Sequence, residues 1–269
     1  MNATLSIPAW CERFLRSEDA AVKLAPAPTL DGLAPESWPT AQAPLRVTLP
    51  GRPAQWQVQE RSAKTPKAGA MVHPEKRAQL LHTLAHHELQ AAEMFAWALL
   101  AFPETPLAFR QGLWRLLREE LGHLALYLQR LAALGTRFGD EPVRDWFWSR
   151  LGSVQTPVEF VAFLGLGLEG ANLEHAQRFS QWMRAVGDEA TASVLDQVER
   201  DEIGHVRFAL HWYREFSGGE LRFEDWTRLL PEPLSPLVFR GRPLNLDARR
   251  AAGYPEPFLD RLAADQEAP

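Results

Sequence analysis

Apolar and polar positions alternate with a helical period in four long stretches, separated by short punctuation and flanked by two proline-rich arms. PEKRAQLLHTLAHHELQAAEMFAWALLAF opens on Pro74, a favourable first-turn residue, and continues to the break at Pro103, which predicts helix A. After FPETP, the segment LAFRQGLWRLLREELGHLALYLQRLAALG closes at Gly135 and predicts helix B. A mixed loop of about twenty residues follows. Helix C is expected from about Pro157 to Val186, and Gly187 and Asp188 turn the chain into helix D, which ends near Gly218 and Gly219. Each stretch holds about 28 to 30 residues and would be about 42 Å long at 1.5 Å per residue. Two short turns and one long middle link make the connectivity of an antiparallel four-helix bundle with a single crossover. A twenty-residue link reaches about 66 Å when extended, enough to return along the bundle.

The flanks read differently. Residues 20 to 75 carry many prolines and little periodicity, and runs such as LRVTL and WQVQ could make edge pairings at most. An amphipathic helix near Trp10 to Val22, with Trp10, Phe14 and Leu15 inward, precedes them. The tail after the fourth helix is again proline-rich, with apolar patches and a terminal helix. The expected organisation is an N-terminal short helix and wrapping arm over 1–72, a bundle over 73–219, and a C-terminal wrapping arm over 220–269, all-α throughout.

Composition narrows the classes. With 29 Lys and Arg against 34 Asp and Glu, a net charge of -5 gives no reason to expect a polyanion as obligate partner. The single cysteine, Cys11, excludes an internal disulfide or a cysteine-rich zinc ribbon and suits a reducing compartment. MFAWALLAF and FVAFLGLGL are about half as long as a bilayer crossing requires. The first twenty residues lack the basic start and apolar run of a secretory signal, so a cytoplasmic location is expected.

Two pentapeptides carry the chemistry: EELGH, Glu119 to His123, on helix B and DEIGH, Asp201 to His205, on helix D. A Glu and a His three residues later share one helix face, so Glu120 with His123, and Glu202 with His205, can grip one metal edge. One such pair is common by chance; two, on the second and fourth helices, fit the plan of a di-metal carboxylate site, which also needs a Glu from each remaining helix. Glu88 and Glu169 supply it. Glu88 and Glu120 are equidistant from residue 104 in FPETP, and Glu169 and Glu202 from a point between residues 185 and 186, so each antiparallel pair sets its carboxylates at one height. Their helical stripes are apolar, and four ionised carboxylates buried there would demand compensating cations or protons. Glu93 is a weaker alternative to Glu88, while Glu174, near Gln177, Arg178 and Gln181, reads as a solvated position. Asp201 and Glu119, four residues before His205 and His123, are placed to accept the non-ligating imidazole N–H. Gly122 and Gly204 leave space beside each histidine for a neighbouring helix. The run Gly165, Gly167, Gly170 around Glu169 is costly in a helix interior and predicts either room for dioxygen or substrate, or a bulge. Glu199 is a secondary candidate for an extra ligand or proton relay. Tyr127 reads as packed core, His82, His86, His87, His175 and His211 as surface or helix-end residues, and Arg240, Arg242, Arg249 and Arg250 as a salt-bridged basic stretch.

At these residues the sequence resembles the ferritin-like superfamily of carboxylate-bridged di-iron proteins. It looks most like a ferritin-like family catalogued only as a domain of unknown function, whose HxEL, ExxH, LE and RDEIGH helices match HHELQAAE, EELGH, GLEGANLE and RDEIGH over roughly residues 70 to 216. Similarity to the tRNA hydroxylase branch of the superfamily is weaker. The resemblance implies a ferritin-like bundle and Glu88, Glu120, His123, Glu169, Glu202 and His205 as ligands to two metal ions, and implies no substrate.

The expectation is therefore a di-metal oxidoreductase holding iron, or manganese or zinc, that oxidises a small molecule with dioxygen or peroxide. An iron-binding or storage protein and a tRNA-modifying hydroxylase are the alternatives, and the acidic total weighs against tRNA. No membrane partner is expected, and a monomer or small homo-oligomer is, because proline-rich arms suit a storage cage poorly. No catalytic residue beyond the ligands, and no electron donor, follows from the sequence.

Overall fold

The computed structural model describes residues 6–29, 35–39, 42–60 and 65–264. Among these the fold is an all-α helical bundle type, and the only β pairing is one isolated bridge. No helix among the described residues is long and apolar enough to cross a membrane. The chain divides into two compact units, Met1–Gly152 and Ser153–Pro269.

The first unit is built on a hairpin of long helices. Helix α1 (Ile7–Arg16) is capped by Ser6 and buries Ile7, Trp10, Cys11, Phe14 and Leu15, and Asp19 caps the short α2 (Ala20–Lys23). Helix α3 (Pro74–Ala101) starts on its proline and is joined through Phe102 to Pro106 to α4 (Leu107–Ala133), which packs along it; the chain leaves α4 through left-handed Gly135. Residues 91–101 of α3 are buried on every side. Such a helix needs cover on the face that α4 leaves open. That cover is α1 and the N-terminal arm. Trp10 meets Trp114 edge to face at 4.9 Å, Trp97 Nε1 donates to Val47 O at 3.1 Å, and Leu45 N donates to Leu100 O at 2.9 Å. WQVQ makes the edge pairing expected of it, a parallel bridge between Val58 and Val143. The unit closes with α5 (Trp148–Leu151).

The second unit repeats the hairpin with one change of winding. A capping box between Thr156 and Glu159 starts α6 (Pro157–Phe160), the helix continues as a π-helix over Val161–Glu169, and α7 (Gly170–Ala185) completes it. The bulge that three glycines predict is thus nine residues long and ends on Glu169. Gly187, at φ +76°, turns the chain into α8 (Glu189–Ser217), which ends at left-handed Gly218. The tail folds into α9 (Phe223–Arg228), α10 (Leu246–Ala252) and α11 (Glu256–Ala264), the last being the terminal helix that the sequence predicts.

The glycine run has a packing reason rather than the cavity considered from sequence. A methyl group at Gly165 would lie 2.3 Å from Ala209 Cβ, one at Gly167 2.8 Å from the Phe239 ring, and one at Gly170 2.6 Å from the Tyr254 hydroxyl. The space is already filled by α8 and by the tail. The tail also supplies hydrogen bonds to a stripe of carbonyls along this rewound helix: Trp226 Nε1 donates to Ala162 O at 2.9 Å, Tyr254 Oη to Leu166 O at 2.8 Å, and Arg249 Nη2 to Gly170 O at 3.1 Å. These acceptors are four residues apart, on one face. Gly122 and Gly204 do not admit a helix: both are exposed, and a methyl group at either meets nothing within 4 Å.

Candidate metal centre

Each unit buries one Glu-Glu-His triad. In the first, α3 carries Glu88 and α4 carries Glu120 and His123; His123 Nδ1 is 3.7 Å from Glu88 Oε2 and 3.8 Å from Glu120 Oε2. In the second, Glu169 closes the π-helix and α8 carries Glu202 and His205; His205 Nδ1 is 3.1 Å from Glu202 Oε2 and 4.0 Å from Glu169 Oε2. All six residues are at most 4% exposed. Within each triad one donor atom from every residue lies within 4.8 Å of the others. The structure thus brings together, unit by unit, the side chains that spacing and phase select.

These separations suit a cation. Donors about 2.1 Å from a metal are about 3.0 Å apart at right angles and about 4.2 Å apart in trans, and the four distances fall in or beside that window. Most are too long for hydrogen bonds. Glu202 Oε2, though 3.1 Å from His205 Nδ1, accepts no hydrogen bond among the described residues. Burial, and then the neighbouring Glu120 carboxylate, push the Glu88 carboxyl well above the usual carboxylate range, with His123 opposing. Two buried acids and an imidazole form a hard oxygen and nitrogen donor set, of the chemistry that could hold a divalent ion of the iron, manganese or zinc kind.

Several side chains play parts that the sequence reading did not assign. Glu174 is not solvated. It is 2% exposed, and Arg249 grips it through Nε at 2.7 Å and Nη2 at 2.8 Å, while the backbone N–H groups of Gly241 and Asn245 also donate to it. Glu93 is equally buried and receives Lys23 Nζ at 2.8 Å, Arg52 Nη1 at 2.5 Å and Nη2 at 2.7 Å, and Trp148 Nε1 at 2.8 Å. Burial alone would raise the Glu93 carboxyl, but Arg52 and Lys23 outweigh it and hold it low. Five helical positions turn about 140° around the axis, so Glu93 and Glu174 leave the faces of Glu88 and Glu169 and point where the arms run. The equal spacing of Glu88 to Glu93 and Glu169 to Glu174 is the signal that finds them in sequence.

His82 and His86 are buried in mid-helix, not at the surface or a helix end. His82 Nε2 accepts from Gly139 N at 2.8 Å, and burial followed by the neighbouring His86 brings its pKa down to about 4. His86 Nε2 lies 3.2 Å from Asp145, which Arg52 also holds. Asn172, three residues after Glu169, donates Nδ2 to Glu202 Oε1 at 2.8 Å. Glu199 is engaged by Asn245 Nδ2 at 2.8 Å. Of the basic stretch, Arg249 is buried against Glu174, Arg240 donates to Leu262 O, and Arg250 pairs with Glu256 at 2.7 Å.

Residues 13–260 match the family described as "Protein of unknown function (DUF455)". The chain belongs to this family. It is also 30% identical over 191 residues to an "Uncharacterized protein" of Haemophilus influenzae, a match that covers 67% of this chain and 65% of the relative. The chain therefore spans slightly less than two thirds of that relative's length. No solved structure matches it.

Proposed function

We propose that the two triads hold two metal ions and that the protein is a ferritin-like, di-iron oxidoreductase using dioxygen or peroxide to oxidise a small organic substrate. The observation that carries this reading is the recurrence of one buried donor set, Glu88, Glu120, His123 and then Glu169, Glu202, His205, on the two long hairpins. Six ligands from four helices, two of them paired as Glu-x-x-His, follow the plan of di-metal carboxylate bundles.

Bound iron would supply the redox capacity toward dioxygen or peroxide. The chain's own residues bind and orient. Glu88 and Glu169 contribute one carboxylate each from the first helix of either hairpin, and Glu120 and Glu202 contribute theirs one helical turn before a histidine. His123 and His205 present Nδ1 toward those carboxylates, which requires each ring to keep its proton on Nε2 when it ligates. Glu119 and Asp201, one turn earlier, are placed to accept that proton's hydrogen bond and fix the tautomer. The apolar flanks, Leu117, Leu124, Leu195 and Val198 among them, are buried and exclude water.

Elemental analysis of protein from iron-sufficient cells tests the reading: about two iron or manganese atoms per chain are expected, lost in a Glu120→Ala/Glu202→Ala variant. Reduced, iron-loaded protein should consume dioxygen with a change in its visible absorption. Protein that retains no metal, or that binds iron and leaves dioxygen untouched, overturns the oxidoreductase reading. Assembly into a large closed shell in size-exclusion chromatography would favour iron storage instead.

A further inference from the structure

The π-winding of Val161–Glu169 ends on a residue of the second triad, and the C-terminal tail engages that segment along its length. Winding of this kind is rare and mostly confined to a single turn, so nine residues of it need support from outside the helix. Three buried side chains of the tail supply it. Trp226 Nε1 donates to Ala162 O, Tyr254 Oη to Leu166 O and Arg249 Nη2 to Gly170 O, at the beginning, the middle and just past the end of the segment. The rings of Phe239 and Tyr254 also occupy the space that a methyl group at Gly167 or Gly170 would need. Arg249 is itself fixed by its buried pair with Glu174, one turn after Gly170. A π turn takes up about one residue more than an α turn, so rewinding one turn to α would swing Glu169 by about 100° against the start of the helix. Its carboxylate would then leave the face on which it meets His205.

We infer that Trp226, Tyr254 and Arg249 form a clamp by which the C-terminal tail holds the π-winding and so points Glu169 at His205, coupling the docking of the tail to the affinity for metal. The coupling to metal rests on the reading proposed above; the clamp itself does not. The three are positioning residues that act through backbone carbonyls of the helix. Each hydrogen bond they give favours the wound segment over its α-helical alternative, and a carboxylate held in place before the ion arrives costs less to order when it binds. The coupling is reciprocal: a tail that lets go lowers metal affinity, and a bound metal tightens the tail.

Tyr254→Phe tests this, because it keeps the ring and removes the hydroxyl that Leu166 O receives. In metal-free protein, amide hydrogen exchange read by mass spectrometry should become about 5- to 100-fold faster in peptides covering residues 161–170, the effect of deleting a buried hydrogen bond. Peptides from α8 should stay within about twofold. Mn(II) binding, read as the disappearance of the free-ion electron paramagnetic resonance signal, should weaken about 10-fold. Trp226→Phe, at the other end of the clamp, should do the same, whereas Arg250→Gln, which breaks an exposed pair with Glu256, should change neither. In wild-type protein, added Mn(II) should slow exchange in tail peptides covering residues 246–264. Exchange that is unchanged in residues 161–170, or faster to the same degree throughout residues 153–264, overturns the clamp. A loosened segment with full Mn(II) affinity overturns the coupling to Glu169 and leaves the metal sites standing. Wild-type protein that binds neither Mn(II) nor iron overturns the metal reading and the coupling with it, while the exchange comparison still decides the clamp.

Discussion

Glu93 is the residue through which the two roles of acidic side chains in this fold can be separated. Replacing it by glutamine leaves Arg52 with Asp145, whose carboxylate it contacts at 2.8 to 3.1 Å, but takes the counter-ion from Lys23, which is fully buried. Removing one partner of a buried pair costs about 3 to 5 kcal/mol. An independent bound agrees. Lys23 can escape by losing its proton, and bringing a lysine of ordinary pKa 10.5 to its neutral form at pH 7 costs about 5 kcal/mol, which bounds the penalty that arises at Lys23 itself. The retained contact of Arg52 places the expectation near 3 kcal/mol, or a melting temperature about 6 to 12 °C lower. The bound shrinks as pH rises, because a buried neutral lysine means that the unfolded chain binds more protons. At pH 9 it is about 2 kcal/mol. The deficit of Glu93→Gln should therefore narrow between pH 7 and pH 9, and Lys23→Met added to it should recover most of the stability. Denaturant titrations at both pH values, with metal content measured alongside, make the test. A variant within 1 kcal/mol of wild type at pH 7, or a deficit indifferent to pH, would refute the ion-pair reasoning; loss of metal with intact stability would make Glu93, not Glu88, the ligand.

Other consequences are open to simpler measurements. Metal-free Glu88→Gln should be more stable than metal-free wild type by about 1 to 3 kcal/mol, since it removes a buried carboxyl with no lysine or arginine among the groups that shift it; saturating metal should reverse the order. Asp145 is held down to about 2 against an ordinary 3.8, because His86 and Arg52 outweigh the burial that would raise it. A depressed acid contributes stability above its unfolded pKa and loses it as the pH falls through the folded one, so about 2 kcal/mol should vanish between about pH 5 and pH 2. Asp145→Asn should flatten that part of an acid-unfolding curve. Gly165→Ala should cost about 1 to 3 kcal/mol, because its methyl group would sit 2.3 Å from Ala209 Cβ, whereas Gly122→Ala, with nothing within 4 Å, should gain up to about 1 kcal/mol in a thermal melt.

The long helices and the faces that carry the two triads were legible because both are local. Periodicity, Pro74 at a helix start, Gly135 and Gly218 at helix ends, and the three-residue step from Glu to His all act within a few turns of chain. The π-winding was legible only as an oddity, three glycines in a helix interior, and their purpose lay in residues far along the chain: Ala209, Phe239 and Tyr254. Glu174 was misread for the same reason. Its helical neighbours are polar, and the groups that bury it, Arg249, Asn245 and Gly241, come from a tail with no periodicity to place it. His82 and His86 looked peripheral because the loop that covers them, around Gly139 and Asp145, has no local signal of where it packs.

Five positions after Glu88 and after Glu169 stands a second buried glutamate, and the contrast between the two bears on the proposed metal. Glu93 is neutralised by Lys23 and Arg52, and Glu174 by Arg249, all brought by the arms. The groups that shift Glu88 are the acid Glu120 and the imidazole of His123, with no lysine or arginine among them. Burying a carboxylate without a counter-charge is prohibitive, and the fold has the means to supply one, since it does so a turn and a half away on the same helix. A structural acid at Glu88 could have been satisfied in the same manner. Its companion is instead a histidine, and neutralisation is left to a proton, which burial and Glu120 favour, or, under the proposed function, to a cation from solution. On this argument the arms and the cluster are two answers to one electrostatic problem, the first internal and permanent, the second, under the proposed function, dependent on an ion that can be loaded, exchanged and removed.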